Sequence, residues 1–167
     1  MIHLAYLIAK RDDYSNFDLQ KRKSIFWAIF YFSIRVNVKI KTIIIDKRYI
    51  NNKAQLSEAL LDEIKMFVES NKPYFSFFDK IVIYYDNGQE TLSRILNISF
   101  KTYENIEKRE NFNHIDKRLF QVSDMLTVID KLDYKLKNKM PLTKAESFFF
   151  NRKDFKHIIK LLTEKRL

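Results

Sequence analysis

Residues 81–88, Ile-Val-Ile-Tyr-Tyr-Asp-Asn-Gly, hold the only glycine in a chain of 167 residues, set behind an acid at the end of an apolar run. Asp-Asn-Gly alone signals a hairpin turn into a second strand. The residues that follow point elsewhere, because Leu92, Ile95, Leu96 and Phe100 recur at three and four, which is helical spacing. The unit therefore reads as strand, tight turn, helix, with Gly88 supplying a backbone conformation that other residues resist and Gln89 entering the first helical turn. Ile81 to Tyr85 is apolar on both faces, as expected of a buried strand in a covered sheet. Asp86 then stands at the carboxyl end of that strand, the edge where open α/β sheets place their ligands, and is a candidate site residue.

Alternating helix and strand patterns extend along the rest of the chain without long linkers, repeats or low-complexity tracts. Residues 18–34 read as a helix opened by Asp18, with Leu19, Ile25, Phe26, Ile29 and Phe32 at helical spacing. Val36 to Asp46 alternates apolar and polar residues and then runs together as Ile43, Ile44 and Ile45, which predicts a strand. A second helix is expected over 54–70, stopped before Pro73, and a third over 88–100. A short polar edge strand is placed within Lys101 to Glu110, followed by a long helix over 116–138. The expectation is one α/β domain over 1–167, with 140–167 as a helical C-terminal extension.

Within Leu119 to Ile129 seven of eleven residues are apolar, so this part of the long helix must be enclosed on most sides. Asp124 lies in its middle, with Phe120 and Val128 one turn away in either direction. Burying an unpaired charge costs several kcal/mol, so Asp124 needs a hydrogen-bond donor, a cation or a metal ion, which Gln121 at i−3 could share. The bland reading is an acid satisfied by a neighbouring lysine or a backbone cap. The sharper reading pairs Asp86 and Asp124 around Mg²⁺ or Mn²⁺, since hard cations prefer carboxylate oxygens. Two-metal phosphoryl transfer usually needs three or four carboxylates, and Glu63 is the further candidate, although a mid-helix Glu beside Lys65 is more often solvated.

The net charge is +10 and unevenly placed: residues 1–50 carry +6, residues 131–167 carry +7, and residues 51–130 sum to −3. A basic shell around a neutral-to-acidic middle fits a partner with phosphate backbones, namely nucleic acid. The competing explanation is AT-rich coding, which also yields abundant Lys, Asn, Ile, Tyr and Phe. The absence of cysteine removes thiol nucleophiles and cysteine-ligated zinc and favours the cytoplasm, while His3, His114 and His157 are too scattered for a metal cluster. The longest nearly continuous apolar run, Ile25 to Ile34, falls short of the ~20 residues of a membrane helix, and the N-terminus lacks the features of a signal peptide. A soluble protein without a membrane partner is expected.

The stretches FDKIVIYYDNGQETLSRILN, RLFQVSDMLTVIDKLDYKL and LTKAESFFFNRKDFKHIIKLL together resemble the family called domain of unknown function 3800, thought to adopt a ribonuclease-H-like fold. The resemblance implies a mixed sheet flanked by helices, with Asp86 and Asp124 lining a metal site as catalytic residues and metal ligands. It also implies supporting polar roles for Gln89 and Gln121, with Asn87 in the same Tyr-Tyr-Asp-Asn-Gly-Gln motif. Ser123 replaces the alanine usual before the second acid.

Members of that family typically begin with a strand carrying Asp-Glu-Ser-Gly and a second strand, and neither is present before IHLAYLIAKRDDY. The chain thus reads as N-terminally truncated, lacking a metal ligand and the middle of its sheet, with residues 2–9 drawn into the gap. The expected function is a metal-dependent, nuclease-like phosphodiesterase (a hydrolase), weak or inactive alone. The alternatives are a basic nucleic-acid-binding protein without catalysis, or an interaction protein completed by a second chain or by a homo-oligomer.

Overall fold

Leu4, Leu7 and Ile8 stand three and four residues apart, and they form the buried face of a short helix. This helix opens the computed structural model of the chain, which describes residues 3–85, 90–109 and 114–167. In order, the elements are α1 (Leu4–Ala9), α2 (Leu19–Arg35), α3 (Lys53–Ser70), α4 (Lys72–Ser76), β1 (Ile81–Tyr84), α5 (Glu90–Ser99), β2 (Ile106–Arg109), α6 (His114–Lys137), α7 (Lys144–Phe149) and α8 (Arg152–Thr163). They divide into two compact units, Met1–Thr42 with Asn113–Leu167, and Ile43–Phe112.

The first unit is helical. Asp18 caps α2 by accepting from the Lys21 N–H at 2.7 Å, which satisfies one of the donors that every helix start leaves free. Phe26 and Phe30, one turn apart on α2, are fully buried. Phe149 and Phe150 meet Phe26 edge to face at 6.0 and 5.1 Å between ring centres. Met125, Ile129 and Leu132 of α6 and Ile158 and Leu162 of α8 complete the same core. Each such side chain contributes about 1.5–3 kcal/mol on burial, so this aromatic and aliphatic centre is the main stabilising term of the unit. A capping box fixes the start of α7, with Thr143 and Glu146 exchanging backbone bonds, and Asn151 caps α8.

The second unit is built on β1 and β2, which pair in parallel from Ile81 opposite Ile106 to Tyr84 opposite Arg109. Parallel neighbours need a crossover, and α5 supplies it. Val68 of α3, Ile95 of α5, Tyr85 and Phe100 are buried. Phe75 of α4 packs its ring against Phe67, Phe100 and Tyr103.

These observations correct the expected fold class. Of the described residues 66% are helical and 5% are in strands, and the sheet has two strands, so the ribonuclease-H-like mixed sheet flanked by helices is not what the chain forms. The strand expected over 36–46 is extended chain with one parallel bridge, Ile40 to Arg166. Its alternation is real, since Val36, Val38 and Ile40 turn inward while Asn37, Lys39 and Lys41 are exposed. A period of two reports an extended segment lying on a core and does not by itself provide a ladder partner. Residues 2–9 were expected to fill a sheet, yet Leu4–Ala9 is helix, docked in the helical unit. Strand β1 itself is half-buried to exposed along its length, so its apolar run on both faces does not mark a covered strand. Among the described residues no helix is long and apolar enough to cross a membrane.

Candidate functional site

Asp124 finds its donor on another helix. Val122, Met125 and Leu126 around it are buried, and its Oδ2 accepts from the backbone N–H of Leu4, the first residue of α1, at 2.7 Å. A helix start has N–H groups without internal acceptors and a partial positive charge, so a carboxylate there is favourable on both counts. The opposite end of α1 is met by the opposite charge. Arg22 of α2 is 4% exposed, and its Nη1 donates to the carbonyls of Leu7 at 2.8 Å and Ile8 at 3.0 Å. Its guanidinium also lies 5.7 Å from the centre of the Phe149 ring. Six residues of helix are thus held by an acid at one end and a base at the other. Beside them, burial raises the Tyr14 hydroxyl above its usual value, and the Asp13 and Asp124 carboxylates add to that against the opposing His3 backbone.

Asp86, Asn87, Gly88 and Gln89 lie outside the described residues. The residues on either side of them do meet, since the Tyr85 hydroxyl and Ser93 Oγ are 3.1 Å apart. Gln121 is half-buried on α6, and Glu63 is half-buried on α3, in the other unit from Asp124. Among the described residues no group of three or more His, Asp or Glu side chains is placed to hold a metal ion.

A more deeply buried acid was not singled out in the sequence. Asp130, also on α6, is 4% exposed. It takes a two-pronged contact from Arg166, with Nη1 at 3.1 Å from Oδ2 and Nη2 on Oδ1, and a hydrogen bond from Thr42 Oγ1. Hydrogen bonding to Asp130 raises the Arg166 pKa above its usual value, more than burial lowers it. The contact fastens the C-terminal residues where Ile40 donates to the Lys165 carbonyl and accepts from the Leu167 N–H. The signal was available: Leu126 and Tyr134 flank Asp130 one turn away, the same argument that identified Asp124.

A groove of about 520 Å³ opens between α6, α7 and α8. Leu132, Leu136, Leu142, Phe150, Phe155 and Ile159 form its apolar wall. Two acids also line it, and both are neutralised: Glu146 by Lys135 at 2.9 Å and Asp133 by Lys137 at 2.6 Å. Burial would raise the Glu146 carboxyl, but the Thr143 backbone and Lys135 bonds outweigh it and hold the group below its usual value.

No family model, no curated protein and no solved structure matches this chain.

Charge follows the division into units. The first holds 21 Lys and Arg against 10 Asp and Glu, a net of +11, and the second holds 10 against 11, a net of −1. Helix α8 shows how the excess is displayed. It buries Phe155, Ile158 and Leu162 and leaves Arg152, Lys153, Lys156 and Lys160 exposed.

Proposed function

We propose that this chain is a non-catalytic binding protein for nucleic-acid backbones, and that its helical unit carries the contact surface. The observation that carries the reading is the placement of a net +11 on one unit beside a second unit of −1. Lys and Arg occur in both units, and the asymmetry lies as much in the acids, 11 in the second unit against 10 in the longer first one. Concentrated positive charge binds phosphate chains by releasing their counterions, without regard to base sequence. A metal-dependent nuclease would need Asp124 for Mg²⁺ or Mn²⁺, whereas one of its oxygens is engaged by the Leu4 N–H. Absence of cysteine fits a cytoplasmic setting, where such partners occur.

Fluorescence anisotropy with labelled single-stranded and duplex oligonucleotides tests the reading. If about four phosphates are contacted, affinity falls on the order of a hundredfold between about 50 and 200 mM salt, and chelator changes nothing. Replacing Lys153 and Lys160 together by Glu lowers the salt slope by about two. Absent binding, or binding indifferent to salt, refutes it.

A further inference from the structure

The groove between α6, α7 and α8 is unaccounted for by a backbone-binding surface, because its wall is apolar. At about 520 Å³ it has the size of a small-molecule site and is far too small for a folded partner. Its polar rim has a definite sign. Glu146 and Asp133 are cancelled by their own lysines, while Arg152 and Lys156 are exposed and have no ion pair among the described residues. Those two cations are four residues apart on α8 and therefore lie one turn apart on one face. Along about 10 Å of α8 the groove is lined by Arg152, Phe155, Lys156 and Ile159, so the two cations lie next to apolar side chains on the same wall.

We propose that this groove binds a single-chain anionic amphiphile, a long-chain carboxylate, with the alkyl chain against Leu136, Phe155 and Ile159 and the carboxylate between Arg152 and Lys156. A bidentate guanidinium with a neighbouring ammonium suits a carboxylate head, and the apolar wall rewards each methylene removed from water. A neutral lipid would leave both cations unused, and a cationic one would meet them in repulsion. The inference is independent of nucleic-acid binding, since it uses the groove-lining cations Arg152 and Lys156 and not Lys153 or Lys160.

Calorimetric titration of the full chain with dodecanoate below its aggregation threshold, with circular dichroism to verify that the protein stays folded, is the test. The expected result is saturable one-to-one binding, weakened at least about tenfold when Arg152 and Lys156 are both replaced by Gln. Dodecanol should bind equally to both proteins. Leu136→Glu, at a position already 46% exposed and so tolerant of charge, should also abolish dodecanoate binding. A control pair of equal charge loss, Lys144→Gln with Lys160→Gln, should keep it. The proposal is overturned if dodecanoate does not saturate, if the control pair weakens binding as much, or if dodecyltrimethylammonium binds as tightly. Binding of an acidic amphipathic peptide without binding of dodecanoate overturns it as well and makes the groove a docking site for protein.

Discussion

The Asp124 carboxylate and the Leu4 backbone N–H, 120 residues apart in sequence, meet at 2.7 Å. With Arg22 on the carbonyls of Leu7 and Ile8, this contact gives α1 a charged partner at each end. A helix of six residues is too short to be stable alone in water, so its geometry depends on these partners and on the burial of Leu4, Leu7 and Ile8.

Arg22→Met should therefore destabilise the protein by about 2–4 kcal/mol in urea unfolding, because two buried carbonyls lose their donor. Arg22→Lys should recover part of that loss, since an ammonium can reach one carbonyl but has no fork for two. Equal losses in the two variants would show that the carbonyl contacts are unimportant and that only packing against Phe149 matters.

Asp130 and Arg166 offer a second test. Removing one partner of a buried ion pair strands the other, so Asp130→Asn should cost about 3 kcal/mol. The amides of Ile40 and Leu167, which bond across the same junction, should lose hydrogen-exchange protection with it. A double-mutant cycle with Arg166→Gln should return a coupling of roughly 1–3 kcal/mol. Zero coupling would separate the two side chains energetically.

Lys139 follows the end of α6 with φ 55°, a left-handed conformation that glycine tolerates and a Cβ resists. The Met140 N–H closes the turn on the Lys135 carbonyl at 2.8 Å, so the conformation is held in place. Lys139→Gly should raise stability by about 0.5–1 kcal/mol, the relieved strain exceeding the added freedom of the unfolded chain. Lys137→Gly, at the last residue of the same helix, should instead lower it by up to about 1 kcal/mol, through lost helix propensity and the lost contact to Asp133. A thermal melt of both variants distinguishes them.

The pH dependence follows from Glu146. Its pKa in the folded protein is lowered, so in the window between its folded and unfolded values the unfolded chain binds more protons and stability rises with pH. The contribution is complete above the unfolded carboxyl value of about 4.3 and is lost as pH falls through the folded value below it. Glu146→Gln should be less stable than the parent at neutral pH and converge with it in acid. A stability difference that stays constant down to low pH would assign the effect to the cap geometry instead of the charge.

Much of the helical content is legible in the residues. Asp18 marks the start of α2, Pro73 bounds α3, and the spacing of Leu92, Ile95 and Leu96 marks α5 after its strand. The sheet is less so. Val36 to Thr42 alternates as a strand does, but the alternation records contact with a core on one side, and its bridge among the described residues is to the far end of the chain, at Arg166. The apolar residues 2–9 suggest cover for a sheet, although Leu4, Leu7 and Ile8 have helical spacing. Asp124 was recognised as an acid that must have a partner; which partner depends on where α1 docks, and no local pattern contains that. Asp130 answers to the same local argument, yet its partners Thr42 and Arg166 are again far away in sequence.

The most direct test of the account is the stability of Asp124→Asn and Asp124→Ala, each measured by urea unfolding with and without Mn²⁺. If the carboxylate holds α1, Ala should cost about 1–2 kcal/mol, Asn should cost less than half as much because its carbonyl still accepts from Leu4, and Mn²⁺ should leave all three proteins unchanged. Stabilisation of the parent by Mn²⁺ that disappears in both variants, with Asn as damaging as Ala, would contradict the account and make Asp124 a metal ligand.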